Sequence, residues 1–123
     1  LRRIERWREI CPEITLRSTF ITGFPGETDD DYRQTRDLVE EIQFDNAFVF
    51  RYSPRRDTPA ADMRDQIDEH VKGQRNQDLL EVVNRSKRRI LECLVGSQVE
   101  VLCEGRSKTN RARCKLCARS GRT

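Results

Sequence analysis

Cysteine is the residue type in this 123-residue chain that is best suited to metal or redox chemistry, and the chain has five cysteines. Only Cys114 and Cys117 are closely spaced, as a single C-x2-C pair. A structural zinc ion takes four ligands, and the one histidine, His70, lies far away in the sequence. We therefore predict no metal site. The other cysteines adjoin apolar residues and are predicted to be buried as small hydrophobic side chains: Cys11, Cys93 and Cys103.

A second candidate is the turn Gly23–Thr28, with the sequence GFPGET, between a strand pattern and a helix pattern. Thr28 has the side chain of a helix N-cap, and Asp31 stands three residues later, as in a capping box. A phosphate could bind the N-terminus of such a helix. However, three aspartates follow Thr28 directly, and no Lys or Arg occurs between Ser18 and Tyr32. Phosphate binding is therefore the alternative that we favour least.

Charge is distributed unevenly along the chain. Residues 105–123 hold seven Lys and Arg and no acid, whereas residues 1–104 hold 17 Lys and Arg and all 21 Asp and Glu. A basic tail after a mildly acidic body favours a polyanion partner, most often a nucleic acid. The alternative interpretation is a solvated terminus. No aromatic residue follows Tyr52, so the tail offers no stacking platform for bases.

Composition excludes several classes of protein. Hydrophobic residues make up 35% of the chain and charged residues 37%, with a net charge of +3, which fits a small folded domain better than a disordered chain. The longest uncharged stretch, Ser18–Gly26, is far shorter than the roughly 20 apolar residues that span a bilayer. The start lacks the apolar region of a signal peptide, and Leu1 already belongs to a helix pattern. We therefore expect a cytoplasmic fragment of a longer protein, with no membrane segment.

The spacing of apolar residues predicts the elements that position these groups. One helix is predicted to stop at Pro12, and a second is predicted from Thr28 to about Gln43. A long polar helix is predicted from Gln66 to about Leu94, and Gly96 would close it. Its apolar stripe would comprise five residues: Val71, Leu79, Val83, Ile90 and Leu94. Two strands are predicted, one rich in β-branched residues and one that alternates: Ile14–Thr22 and Ala47–Ser53.

The strand–helix–strand order predicts a right-handed β-α-β unit with parallel strands, the first of them central. Alternation in the second strand places Phe48, Phe50 and Tyr52 on one face. Ligands of such sheets bind beyond the carboxyl ends of the strands. Two segments lie there: Gly23–Glu27 and Tyr52–Arg55. Farther along the chain, the alternation in Ser97–Cys103 predicts a strand of an antiparallel sheet or barrel, so that a second domain would begin near Val95.

Several segments, in this order and spacing, resemble the methylthiotransferases, a branch of the radical S-adenosylmethionine (SAM) enzymes. They are TFITGFPGET (19–28), FDNAFVFRYSPR (44–55), TPAA (58–61), RNQ (75–77) and LVGSQVEVLCEG (94–105) with SKTN (107–110). The last of these resembles the start of a TRAM domain, a small RNA-binding β-barrel. The resemblance covers about residues 10–110, and after Asn110 the tail departs from the family pattern.

The resemblance implies an α/β fold with three parts. Residues 1–62 would form the C-terminal part of a radical SAM partial (β/α) barrel. Residues 63–94 would form a connecting helix. Residues 95–123 would be an incomplete, OB-like TRAM barrel with the basic tail.

Two types of methylthiotransferase fit these motifs. One adds a methylthio group to N6-isopentenyladenosine next to the anticodon of tRNA (the MiaB type), and the other modifies an aspartate of a ribosomal protein (the RimO type). The runs DNAF (45–48) and SKTN (107–110) are more similar to the tRNA type, whereas LRSTF (16–20) is more similar to the ribosomal type. We favour the tRNA enzyme. A non-catalytic RNA-binding module is a further alternative.

The resemblance implies SAM and two [4Fe-4S] clusters as cofactors. It implies tRNA and an electron donor of the flavodoxin or ferredoxin type as partners of a monomeric, cytoplasmic transferase. The C-x3-C-x2-C motif that holds one cluster in such enzymes is absent from this sequence. We therefore expect the chain to be inactive alone, and the complete protein to be the enzyme.

The resemblance also implies which residues approach SAM. Thr19 to Gly23 match the segment that passes the adenine, so Ile21 would pack on the ring and Gly23 would let the backbone come close. Glu27 stands one residue later than in the common G-x-I-x-G-x-x-E pattern and would either contact SAM or stabilise the helix N-terminus. Arg51 and Tyr52 end the next strand and are candidates for contacts to the SAM carboxylate or the substrate, although packing is the commoner fate of a strand tyrosine. Arg55, in the following loop, would reach a phosphate or a capping carbonyl. Candidates for contacts to RNA phosphates are four basic residues: Arg106, Lys108, Arg111 and Arg113.

Overall fold

The computed structural model describes residues 1–98 in full and the backbone of residues 101–106 and 114–118. The helices are α1 (Arg2–Ile10), α2 (Asp29–Ile42) and α3 (Glu69–Leu94), with a short 3-10 helix at Pro59–Ala61. The strands are β1 (Arg17–Thr22), β2 (Asn46–Arg51), β3 (Val101–Arg106) and β4 (Cys114–Ala118). This mixed content confirms the α/β class. The barrel, the TRAM architecture and the domain boundaries stay predictions.

Strands β1 and β2 are parallel, with Arg17 opposite Asn46 and Thr22 opposite Arg51. Helix α2 connects them, which confirms the predicted β-α-β order. The expected central position of β1 is not found, because β2 is its one neighbour among the described residues. The two faces of β1 are covered unequally. Thr22 is buried on one face, whereas Ile21 lies on the other face and is 56% exposed.

Helix α2 begins where the sequence predicts. Asp31 donates its backbone N–H to Thr28 Oγ1, and the Asp31 carboxylate accepts the Thr28 N–H, which completes a capping box. The Thr28 hydroxyl in turn donates to Asp31 Oδ2 at 2.7 Å, and this hydrogen bond, followed by the one from the Thr28 N–H, lowers the pKa of Asp31. The helix buries three of its side chains: Tyr32, Val39 and Ile42.

The core lies where α2, α3 and one face of the parallel sheet meet. Leu79, Val82 and Val39 are almost completely buried there, and burying one such aliphatic side chain stabilises the fold by roughly 1.5–3 kcal/mol. The predicted stripe of α3 is therefore confirmed only in the middle of the helix. Its first half buries Lys72 and Arg75, which the apolar pattern did not select.

Helix α3 starts later than predicted. Its N-cap is Asp68, whose side chain accepts the N–H of His70 at 2.8 Å. Gln66 instead belongs to the preceding connection, where its amide donates to the carbonyl groups of Ala60 and Met63. The helix ends as predicted, because Gly96 follows it with a φ of +86°. No described helix is both long and apolar enough to cross a membrane.

The predicted burial of the cysteines is wrong for two of them. Cys11 and Cys93 are exposed, since Cys11 follows a helix with no buried residue and Cys93 lies beyond the last buried residue of α3. The prediction for Cys103 lies outside the side chains that the structure describes. Strands β3 and β4 form an antiparallel pair with a register shift between Cys103 and Gly105, and the predicted strand Ser97–Cys103 overlaps β3 over Val101–Cys103.

Candidate functional site

The carboxyl ends of β1 and β2 form one edge of the sheet, as predicted. Ile21 is paired with Phe50 near this edge, and the Tyr52 N–H extends the pairing by donating to the Thr22 carbonyl at 2.9 Å. A cavity of about 500 Å³ opens there. Its lining includes residues from both strand ends and from the following connection: Ile21, Phe24, Phe50, Tyr52, Arg55 and Thr58.

The walls of this cavity suit a ligand with an apolar ring and an acidic group. The side chains of Ile21 and Phe50 are 56% and 54% exposed, so an aromatic ring has apolar surface to cover. Phe24 packs edge-to-face against Tyr52, with 5.2 Å between the ring centroids. Arg51 and Arg55 add two guanidinium groups to the lining, and guanidinium groups bind carboxylates well. These residues therefore fit the adenine and the amino-acid carboxylate of SAM.

The turn Gly23–Thr28 borders the cavity and has little freedom. Gly23 has a φ of +74°, and a methyl group at its Cα would overlap with Cγ of Lys72, so glycine is required there. Its N–H donates to Glu27 Oε2 at 2.8 Å. Gly26 also has a positive φ, and its N–H donates to the carbonyl of Asp65 at 2.9 Å. The turn is thus held by its own carboxylate and by the segment before α3.

Glu27 serves the turn rather than the helix N-terminus. Its carboxylate, 12% exposed, accepts the Gly23 N–H and pairs with Arg75 Nη1 at 2.6 Å. The helix is capped by Thr28 and Asp31 instead. The predicted alternative that Glu27 stabilises the helix N-terminus is therefore wrong. A contact between Glu27 and SAM stays a prediction.

Sequence reasoning missed two cations beside this turn. The sequence has no Lys or Arg between Ser18 and Tyr32, but α3 contributes Lys72 and Arg75, both almost completely buried. Arg75 bonds to Glu27 and Asp29 at 2.6 Å each, and Lys72 pairs with Glu69 at 2.8 Å. Burial lowers the pKa of Arg75, but the hydrogen bonds and charges of Asp29 and Glu27 outweigh it and raise the pKa overall. Both cations are therefore matched by carboxylates, which gives phosphate binding no new support.

The other predicted cofactor residues are spread over the same end of the sheet. Thr19 lies exposed opposite Phe48, three pairs before the Thr22–Arg51 pair at the edge. Arg51 is exposed and also borders a second cavity, of about 690 Å³, beside His70. Tyr52 is half-buried, and its hydroxyl has no hydrogen-bond partner among the described residues. The structure thus brings Ile21, Gly23 and Tyr52 together and leaves Thr19 at the periphery.

The structure tests few of the predictions about RNA contacts and metal sites. Arg106 ends β3, where only the backbone is described, and Lys108, Arg111 and Arg113 lie outside the described residues. Among the described side chains, no group of three or more His, Cys, Asp or Glu could hold a metal ion. The residues described here therefore do not fit an iron–sulfur cluster, and none is assigned to them.

Comparison with known proteins supports the resemblance seen in the motifs. No family model matches the chain. It is 56% identical over 118 residues to a protein of Akkermansia muciniphila, across 96% of this chain and 25% of that protein. It is 49% identical over 107 residues to a protein of Acetivibrio thermocellus, across 87% of this chain and 22% of that protein. A protein of Mannheimia succiniciproducens is 44% identical over 104 residues, across 85% of this chain and 23% of that protein.

These matches define the class of the chain, which is a homologue of the methylthiotransferases over nearly its whole length. The Akkermansia and Acetivibrio relatives are both named tRNA-2-methylthio-N(6)-dimethylallyladenosine synthase. The Mannheimia relative is named ribosomal protein uS12 methylthiotransferase RimO. The chain spans about a quarter of the length of the curated relatives it matches.

Proposed function

We propose that this chain is the part of a radical SAM tRNA methylthiotransferase that supplies the carboxyl edge of the sheet and the start of the RNA-binding domain. The reaction would add a methylthio group to N6-isopentenyladenosine next to the anticodon. The observation that carries the proposal is the 56% identity, over 96% of the chain, to a protein named for this product. The exposed, apolar strand ends support it, because they leave room for a ligand where the family resemblance expects SAM.

In this proposal the residues of the chain bind and orient SAM. SAM, when bound at a [4Fe-4S] cluster of the complete enzyme, would supply the radical chemistry. The exposed side chain of Ile21 would pack on the adenine, and Gly23 would let the backbone approach SAM closely. Arg51 or Arg55 would pair with the carboxylate of SAM. Tyr52 would close the wall behind Phe24. Glu27 would not contact the adenine ring but would stabilise the turn at Gly23 by accepting its N–H.

The remaining parts of the proposal rest on the family resemblance. The complete enzyme would use two [4Fe-4S] clusters and an electron donor of the flavodoxin or ferredoxin type, and would act as a cytoplasmic monomer. Residues 95–123 would belong to a TRAM domain. Four of its basic residues would contact tRNA phosphates without reading the base sequence: Arg106, Lys108, Arg111 and Arg113.

An assay with two substrates tests the proposal. The full-length protein that carries this chain is purified anaerobically, its clusters are reconstituted, and SAM and a chemical reductant are added. One reaction contains tRNA with isopentenyladenosine, and the other contains ribosomal protein uS12. We expect mass spectrometry to detect methylthiolation of the tRNA alone. Modification of uS12 alone would favour the second type, to which the 44% identical Mannheimia relative belongs by name. Modification of neither would contradict the proposed function.

A further inference from the structure

Helix α3 reaches the ligand edge of the sheet through two buried side chains, Lys72 and Arg75, and Arg75 makes the hydrogen bonds to the turn. Arg75 is 7% exposed, and its guanidinium meets the turn at three oxygen atoms. Nη1 donates to the backbone carbonyl of Glu27 at 3.1 Å and to Glu27 Oε2 at 2.6 Å. Nη2 donates to Asp29 Oδ1 at 2.6 Å. Such charge-assisted bonds in a fork are among the strongest that side chains form.

The same carboxylate oxygen continues the chain of contacts to the cavity. Glu27 Oε2 accepts the N–H of Gly23 at 2.8 Å, and Gly23 directly follows β1, two residues after Ile21. The contacts therefore run from α3 through Arg75 and Glu27 to the backbone at the mouth of the cavity. Lys72, one helical turn earlier, fills the space beneath Gly23. This region has no other carboxylate that approaches the Gly23 N–H among the described hydrogen bonds.

We propose that Arg75 is a positioning residue for SAM: it locks Glu27, and through it the Gly23 backbone, in the conformation that the cofactor requires. This inference rests on the proposed function and adds to it a residue from outside the β-α-β unit. Arg75 itself does not line the cavity. Its loss would leave Glu27 buried without its cation and the Gly23 N–H without a fixed acceptor, which costs more than the bond itself contributes.

A matched control is available at the same helix interface. Arg36 of α2 pairs with Asp78 of α3 at 2.9 Å and also lies near Glu40, but no described hydrogen bond joins it to the turn. Arg36→Met therefore removes an ion pair between the same two helices without touching Glu27 or Gly23. Arg75→Met and Arg75→Lys remove all or part of the fork, because an ammonium group cannot match a planar two-sided contact.

The test uses the full-length protein with each variant and two readouts. Equilibrium dialysis measures the dissociation constant for SAM, and hydrogen exchange with mass spectrometry follows the amide of Gly23 without added SAM. We expect Arg75→Met to weaken SAM binding about tenfold, as loss of about 1.4 kcal/mol would, and to speed exchange at Gly23. Arg75→Lys should be intermediate, and Arg36→Met should match the wild type in both readouts.

Equal SAM affinity in all variants would overturn the inference, as would equal weakening by Arg36→Met and Arg75→Met. If Arg75→Met does not fold, the comparison of Arg75→Lys with Arg36→Met decides in the same way. Failure of the proposed function would be visible separately, since the wild type itself would then bind no SAM or leave tRNA unmodified. In that case the exchange rate at Gly23 still tests whether Arg75 and Glu27 fix the Gly23 backbone.

Discussion

The start and the middle of helix α3 differ in what they bury. The start turns Lys72 and Arg75 toward the ligand edge, and the middle turns Leu79, Val82 and Val83 into the core. A buried charge stabilises little by itself, because its desolvation offsets much of the attraction to its partner. A buried leucine stabilises directly. The difference indicates that the middle of the helix holds the fold together, while its start sets the geometry of one turn.

The largest expected effect comes from a substitution in the middle of α3, which changes the core and leaves the turn intact. Leu79 is fully buried, so Leu79→Ala should lower the free energy of unfolding by about 2–5 kcal/mol. Chemical denaturation of the purified protein measures this. Leu91→Ala, at a position 54% exposed on the same helix, is the control and should change stability by about 0.5 kcal/mol or less. Similar losses in the two variants would contradict the proposed location of the core.

A smaller loss of stability is expected from a substitution where the start of α3 contacts the turn. Gly23→Ala must adopt a positive φ, at a cost of roughly 1–2 kcal/mol, and must also displace Lys72. Gly26→Ala faces the same backbone penalty but finds no atom within 4 Å of its methyl group. Thermal unfolding should therefore show a larger loss for Gly23→Ala. Equal losses would mean that Lys72 does not restrict this position.

Removing the N-cap sharpens the comparison from the side of α2. Thr28→Ala takes away the hydroxyl that accepts the Asp31 N–H at 3.1 Å, and should lower stability by about 1 kcal/mol. The turn would keep the hydrogen bonds that the Gly23 and Gly26 N–H groups donate to Glu27 and Asp65. Hydrogen exchange should therefore become faster at the start of α2 while the Gly23 amide stays protected. Loss of protection at Gly23 would show that the cap, rather than Arg75, holds the turn.

The smallest expected effect depends on pH. The hydrogen bonds from Thr28 lower the pKa of Asp31 in the folded state below its ordinary value of about 3.9. The stabilisation is then complete above that ordinary value and is lost as the pH falls through the lowered pKa. The stability difference between the wild type and Thr28→Ala should accordingly shrink in acid. A difference that stays constant from neutral pH down to pH values well below about 3.9 would rule out this linkage.

Local patterns in the sequence predicted much of the fold. The capping box at Thr28, the parallel pairing of two strands and the glycine after α3 follow from short-range rules, and the structure confirms all three. The family resemblance, confirmed by the relatives, also came from short motifs. These features depend on residues within a few positions of each other.

What the sequence did not reveal depends on contacts between distant residues. Arg75 and Glu27 are 48 positions apart, and an apolar stripe gives no reason to place an arginine on the buried face of a helix. The exposure of Phe48 and Phe50 could not be inferred either, because alternation shows that two residues share a face but not which face is covered. Cys11 and Cys93 were misjudged for the same reason.

The most direct test of the central claim is to measure modified nucleosides in cells. The chain replaces the matching 118 residues of the Akkermansia muciniphila relative, and the hybrid gene is expressed in a strain that lacks its own enzyme. Mass spectrometry then quantifies methylthiolated isopentenyladenosine in total tRNA. We predict that the hybrid restores this nucleoside and that Arg75→Met reduces it. A hybrid that is soluble and binds SAM but leaves the tRNA without the methylthio group would contradict the account.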